Sequence, residues 1–195
     1  MEARIQKQII DYFSFLEEFY NTSKTCLKTC QNCAVSINKI IKRCRNIQEA
    51  QIVGTPLESF SGLQTKLSAS LLNLIQDNIA EIQNQSTVVE ILFEKLCNKH
   101  KLLTESCKEI ELTVQTALVR GTPLQPPLKQ LLEFAADSLS FGGQVCAQID
   151  TSLKVFVFKG LESEPQAENF TISSNWQKKI PLILAYTSFC PENEI

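Results

Sequence analysis

The sequence predicts an all-α protein: an elongated antiparallel bundle of about three long helices plus a short C-terminal helical segment. Two observations carry this. Apolar side chains recur at alternating steps of four and three, an average of 3.5 residues per turn that marks a helix packed lengthwise against others. Glycine and proline are also absent from two segments of about fifty residues and cluster between them.

The first helix spans Ala3 to Gln51. Its stripe is Ile5, Ile9, Tyr12, Leu16, Phe19, Ser23, Cys26, Cys30, Cys33, Ile37, Ile40, Cys44 and Ile47, in which only Ser23 is polar. At about 1.5 Å per residue such a rod is roughly 65 Å long, which leaves a short chain little room for a substrate cleft. Gly54-Thr55-Pro56 then breaks the chain. Thr55 and Glu58 match a capping box with Pro56 at the first helical position, so a new helical turn starts there.

The second long segment runs from about Leu63 to Leu118. Its stripe is Phe60, Leu63, Leu67, Leu71, Ile75, Ile79, Ile82, Ser86, Val89, Phe93, Leu96, His100, Leu103, Cys107, Ile110, Val114 and Ala117. Two successive steps of four, at Leu67, Leu71 and Ile75, shift the register locally. The polar stretch Gln83 to Thr87 is the expected place for a bend, and Arg120 to Pro123 ends the segment.

A proline-rich connector, Pro123 to Pro127, opens a third helix with Pro126 and Pro127 in its first turn. Its stripe is Leu132, Ala135, Leu139, Gly142, Cys146, Ile149, Leu153 and Phe156. Gly142 and Gly143 each weaken a helix by about 1 kcal/mol against alanine. Close approach of another backbone is the usual reason to keep them. Val155 to Phe158 is β-prone, so a strand at Lys154 to Phe158 is the alternative; the stripe running through it favours helix. Gly160 fits the position just past a helix end, and Leu161 to Asn169 reads as a loop. Ser173 or Ser174 then caps a short amphipathic piece with Trp176, Ile180, Ile183 and Leu184, which Pro181 is expected to kink or restart. Residues 1–160 form the long-helix bundle and 161–195 pack on it, giving one domain.

Nineteen basic and twenty-one acidic residues leave a net charge of -2, which argues against binding nucleic acid by bulk charge. No apolar run approaches the roughly 20 residues that cross a bilayer. The charged, amphipathic start reads as no signal peptide. A soluble protein of a reducing compartment is expected, in which the eight cysteines act as small apolar side chains. The sequons at Asn21, Asn84 and Asn169 then have no acceptor role.

Cys26, Cys30 and Cys33 match the spacing of the cysteine triplet in radical SAM enzymes. That motif needs a loop beside a barrel, and on a helix the three fall within about 60° of one another on the apolar stripe. They are read as core. His100 shares a face with Cys97 and Cys107, but no oriented base or oxyanion site accompanies the pair. Lys39, Lys42, Arg43 and Arg45 form a basic patch with no interleaved aromatic for base stacking, so a solvated face outweighs an RNA contact. Glu192 and Glu194 read as a solvated tail. No phosphate loop, HExxH or nucleophile elbow is present. The expectation is a non-enzyme with no catalytic, cofactor-binding or metal site.

The order of features resembles one small family. A cysteine lies in the Lys24 to Cys33 region of a long first helix that closes on Asn46-Ile47-Gln48-Glu49-Ala50. Thr55-Pro56-Leu57-Glu58-Ser59-Phe60 and Gly62-Leu63 follow, then a proline-containing connector before Leu128 to Leu132, and Ser174-Asn175-Trp176 near the end. This is similar to the AIRIM family of ribosome-maturation factors. The resemblance implies a non-catalytic subunit of a spermatogenesis-associated AAA+ ATPase complex, paired with a second small, CINP-like helical subunit. It further implies a role in large ribosomal subunit maturation and in replisome remodelling, contact with pre-ribosomal particles, and residence in cytoplasm and nucleus. Neither membrane binding nor sequence-specific nucleic-acid binding is expected. The resemblance assigns no binding residue position by position. The periodicity suits equally a structural coiled-coil subunit of a cytoskeletal, kinetochore or vesicle-tethering complex.

Overall fold

The structure, a computed structural model, describes residues 2–108, 116–159 and 165–188, with the side chains of 156–159 left aside. Five α-helices are seen: α1 (Glu2–Glu49), α2 (Leu63–Cys107), α3 (Ala117–Arg120), α4 (Leu128–Lys159) and α5 (Ser174–Thr187). Short 3₁₀ turns lie at Pro56–Ser59 and Ala167–Phe170. Among the described residues there is no strand, only an isolated bridge between Thr122 and Gln125. The all-α prediction holds.

The α1 stripe is the core. Every member from Ile5 to Cys44 is buried, and only Ile47 is half-exposed. The hydroxyl of Ser23, its one polar member, is buried without a hydrogen-bond partner. On α2 the deepest positions recur every seven residues, at Ile75, Ile82, Val89, Leu96 and Leu103. Before Ile75 the same stripe is open to solvent, against expectation: Phe60 is 60% and Leu67 44% exposed.

Several further expectations need correction. The second segment does not run as one helix to Leu118. α2 ends at Cys107, and α3 is a separate turn whose N-cap, Thr116, is extended and accepts from the Val119 amide through its hydroxyl. Ile110 and Val114 lie outside the described residues. The buried seam of α4 runs through Leu128, Leu131, Ala135, Ser138, Phe141, Val145, Ile149 and Ser152, while Leu132, Leu139, Cys146 and Leu153 sit half-buried beside it. Apolar residues on both flanks widen the stripe, and the pattern alone does not fix its centre. Pro126 and Pro127 precede α4, with the Pro127 carbonyl accepting from the Leu131 amide. α4 remains helical through Lys154 to Phe158; the Phe156 side chain and Gly160 lie outside the description.

Pro181 does not restart α5, which runs unbroken from Ser174 to Thr187. Ser173 occupies its N-cap position without a side-chain cap. The expected loop begins outside the described residues, and its later part contains the 3₁₀ turn. The capping box is close to expectation: Thr55 Oγ1 accepts from the Leu57 amide, while Glu58 accepts from Gly54 rather than from Thr55. α2 stays helical through Gln83 to Thr87, where the Thr87 hydroxyl donates to the Gln83 carbonyl one turn back.

The chain forms two compact units. The described residues of Met1–Thr25, Val88–Ala147 and Ile172–Ile195 make the first. In it Phe19 packs against Phe93 at 6.4 Å and edge-on against Phe141 at 6.0 Å between ring centroids. Tyr12 meets His100 and donates from its hydroxyl to the Ala135 carbonyl at 2.9 Å. Residue numbers thus fall along α2 and rise along α4 as α1 is followed, an up-down-up arrangement. α5 returns alongside α4, with Trp176 on Phe141 and Gln144, and Lys179 paired to Asp137 at 2.8 Å. The connector is tied to α1 by a buried reciprocal amide pair. Gln6 Nε2 donates to Gln125 Oε1 at 2.8 Å, and Gln125 Nε2 donates back to Gln6 Oε1 at 2.9 Å.

The second unit comprises Cys26–Thr87 and Gln148–Thr171. Gln64 Nε2 donates to the carbonyls of Ile47 and Ala50 at 2.9 and 2.8 Å, fixing the start of α2 against the end of α1. Asn38 donates to the Pro165 carbonyl at 2.7 Å, and Gln148 to the carbonyls of Asn169 and Thr171. These amide contacts hold the 165–171 segment on the helices.

Candidate interaction surfaces

Among the described residues, the cysteines and the histidine lie in the core or at its edge. Cys26, Cys30 and Cys33 are buried on the α1 stripe, and burial pushes the Cys30 thiol up to about 12, with the neighbouring cysteines and Glu81 adding to the effect. Cys26 and Cys33 are raised by burial in the same direction. The thiolate is the nucleophile and metal ligand, so such surroundings disfavour both roles. Cys146 is raised to about 11 by burial, then by Glu90 and Cys97. Among the described residues no three His, Cys, Asp or Glu side chains group as metal ligands.

His100 is half-buried, and its ring meets Tyr12 at 6.1 Å between centroids. Burial lowers its pKa, favouring the neutral imidazole. Burial raises the Cys97 and Cys107 thiols. These residues share the α2 helix and its inward side.

Among the described residues, each unit presents an apolar area to solvent. On the first, a cleft of about 550 Å³ opens between the connector and α5. Leu124, Pro126, Leu182, Ala185 and Tyr186 line it, with Gln130 among its polar members. Phe134 stacks on Tyr186 behind it with an interplanar angle of 28°. Sequence reading missed this cleft, because its walls are far apart in sequence and each looks like ordinary loop or helix edge. The proline run at 123–127 was the one available signal.

On the second unit, the apolar area is the tip where α1 ends and α2 begins. Val53 is 81% exposed, and Leu57, Phe60, Leu67 and Leu74 are exposed around it. The 3₁₀ turn at Pro56–Ser59 buries none of its residues. Lys39, Lys42, Arg43 and Arg45 are all exposed on the last turns of α1, opposite the buried Ile37, Ile40 and Cys44. The basic patch predicted from sequence therefore stands on the same unit as this apolar tip, of whose residues Phe60 and Leu67 belong to the predicted α2 stripe. Glu192 and Glu194 lie outside the described residues, and no described helix is long and apolar enough to cross a membrane.

The family model CA109-like, described as ribosome biogenesis protein C1orf109-like, matches residues 3–182. No curated protein and no solved structure matches the chain.

Proposed function

Because the chain belongs to the C1orf109-like family of ribosome biogenesis proteins, we propose that it is a non-catalytic adaptor subunit of a AAA+ ATPase complex in large ribosomal subunit maturation. A spermatogenesis-associated ATPase would supply the ATP chemistry. A second small, CINP-like helical protein would be its partner subunit, with pre-ribosomal particles as the substrate and replisome remodelling as a further task. The observation that supports this reading is the distribution of side chains. Among the described residues the thiols and the imidazole are buried or half-buried, while apolar areas on each unit face solvent, the layout of a protein that works by contact. Residence in cytoplasm and nucleus follows from the proposed task.

Affinity purification of the tagged full-length chain from native lysate tests it. A AAA+ ATPase and a second small helical protein are expected at matching abundance, and depletion is expected to perturb large-subunit precursors. Recovery of neither protein sinks the reading. Localisation to centrosomes or membranes, with normal ribosomal subunit profiles after depletion, would instead identify a structural coiled-coil subunit.

A further inference from the structure

Charge is unevenly distributed along α1. From Phe19 to Gln48 the sequence carries Lys24, Lys28, Lys39, Lys42, Arg43 and Arg45 but no aspartate or glutamate. All twenty-one acidic residues of the chain lie outside this run. Its part in the second unit, Lys28 to Asn46, builds one face of the helix. At 3.6 residues per turn, Lys28, Asn32, Lys39, Lys42, Arg43 and Asn46 fall within about 100° of one another, along about 27 Å of axis. All six are exposed, and the buried Cys30, Cys33, Ile37, Ile40 and Cys44 occupy the opposite side. Among the described residues, Lys39, Lys42 and Arg43 have no ion-pair partner. Lys28 donates to Gln31 on its own helix at 3.0 Å.

The composition of this face selects its partner. Between Lys28 and Asn46 the one exposed apolar side chain is Val35, at 39%. A protein interface has a desolvated apolar centre and is depleted in lysine, and a helix that lies on a bilayer needs apolar residues to insert. Lysines and asparagines around one valine supply neither. Phosphate and sugar oxygens, by contrast, are bound by Lys, Arg and Asn side chains without an apolar centre. The stretch also contains no aromatic residue, so it lacks the platforms on which single-stranded bases stack. A duplex remains, with its bases turned inward and its phosphates in fixed rows. Asn32 and Asn46 add neutral amides among the cations, groups that pair with the 2′-hydroxyl that RNA has and DNA lacks.

We propose that this face of α1 binds the sugar-phosphate backbone of double-helical RNA, irrespective of base sequence. Lys28, Lys39, Lys42 and Arg43 neutralise phosphates, and Asn32 and Asn46 reach 2′-hydroxyls. A net charge of -2 does not oppose this, because the cations are gathered on one helix and the carboxylates are kept off it. The choice of RNA rests on the proposed action on pre-ribosomal particles and gives the chain its own contact with them. The ATPase takes no part in that contact.

Anisotropy titrations of a fluorescein-labelled, 20-base-pair RNA duplex with the purified full-length chain test this. Saturable binding is expected, with log K falling against log salt at a slope of roughly -3 to -4, as about four neutralised phosphates give. The variant Lys39→Gln, Lys42→Gln, Arg43→Gln is expected to bind at least about tenfold more weakly and to flatten that slope by about one per lost contact. A matched variant on the first unit, Lys101→Gln, Lys129→Gln, Lys178→Gln, removes the same charge from other exposed positions and is expected to weaken binding by less than about twofold. Asn32→Ala, Asn46→Ala is expected to bring RNA affinity down to that for a DNA duplex while keeping the slope. Unchanged circular dichroism and melting temperature will confirm that each variant is folded. No saturable RNA binding, or equal weakening by the two lysine-arginine and lysine variants, overturns the proposal. So does binding of a DNA duplex, a uridine 20-mer, a 20-residue polyglutamate or phosphatidylserine vesicles at least as tight as that of the RNA duplex. The titration contains neither ATPase nor partner subunit, so its failure leaves the outcome of the affinity purification untouched.

Discussion

Gly142 and Gly143 are adjacent on α4 yet face different surroundings. A Cβ at Gly142 would stand 2.5 Å from Cδ2 and 2.7 Å from Cε2 of Phe93, whereas one at Gly143 would meet Phe93 at an ordinary 3.6 Å. The close approach expected here is real, but it comes from an aromatic ring and not from a backbone. Gly142→Ala is therefore expected to destabilise by about 1–3 kcal/mol through overpacking. Gly143→Ala is expected to be neutral or to stabilise by up to about 1 kcal/mol through helix propensity. Urea denaturation of both variants checks the contrast. The sequence tells that a helix tolerates two glycines; which residue of another helix fills the gap is a tertiary fact. His100 gives a second prediction at this scale. Its folded-state pKa lies below the ordinary 6.5 because burial disfavours the imidazolium. The unfolded chain then binds the proton more readily, so this contribution is intact above pH 6.5 and is lost as pH falls through and below it. The stability difference between pH 7.5 and 5.5 is expected to shrink in His100→Gln, measured by urea midpoints against the parent.

The helices differ in how far periodicity revealed them. On α1 the stripe from Ile5 to Cys44 was legible almost residue by residue, cysteines included, because a helix enclosed by neighbours buries one continuous strip. On α4 the strip was found but its centre was displaced, since Leu131 and Leu132, or Val145 and Cys146, are equally apolar in sequence. On α2 the apolar face was legible and its coverage was not. Leu67 and Ile75 look alike in the pattern, yet Leu67 is 44% and Ile75 6% exposed, a difference set by tertiary packing. The same limit explains the candidate surfaces. The basic patch was readable from four residues, whereas the tip and the connector–α5 cleft depend on where separate segments end.

At the scale of the molecule, α1, α2 and α4 each run continuously through both compact units. Trp176, the single tryptophan, reports on the first unit through its contact with Phe141. Cys30, fully buried with a thiol raised to about 12, reports on the second. Helix formation is cooperative along an unbroken helix, so the urea transition in tryptophan fluorescence is expected to coincide with the onset of Cys30 alkylation. Mass spectrometry of iodoacetamide-treated samples locates the modified cysteine. Separate midpoints would mean that the helices melt in sections. Surface ion pairs such as Lys99–Asp11 and Lys179–Asp137 are screened by salt.

The buried amide pair between Gln6 and Gln125 acquires its meaning in that setting. Two neutral side chains satisfy each other's donor and acceptor, so the attachment of the connector to α1 involves no proton and no counterion. Ionic strength that would loosen the Lys99–Asp11 and Lys179–Asp137 pairs leaves this clasp unchanged. Its specificity is also mutual, because a carboxylate or ammonium on one side would find the wrong complement on the other. The connector that forms one wall of the cleft is thus held by a fastening that ignores the ionic surroundings.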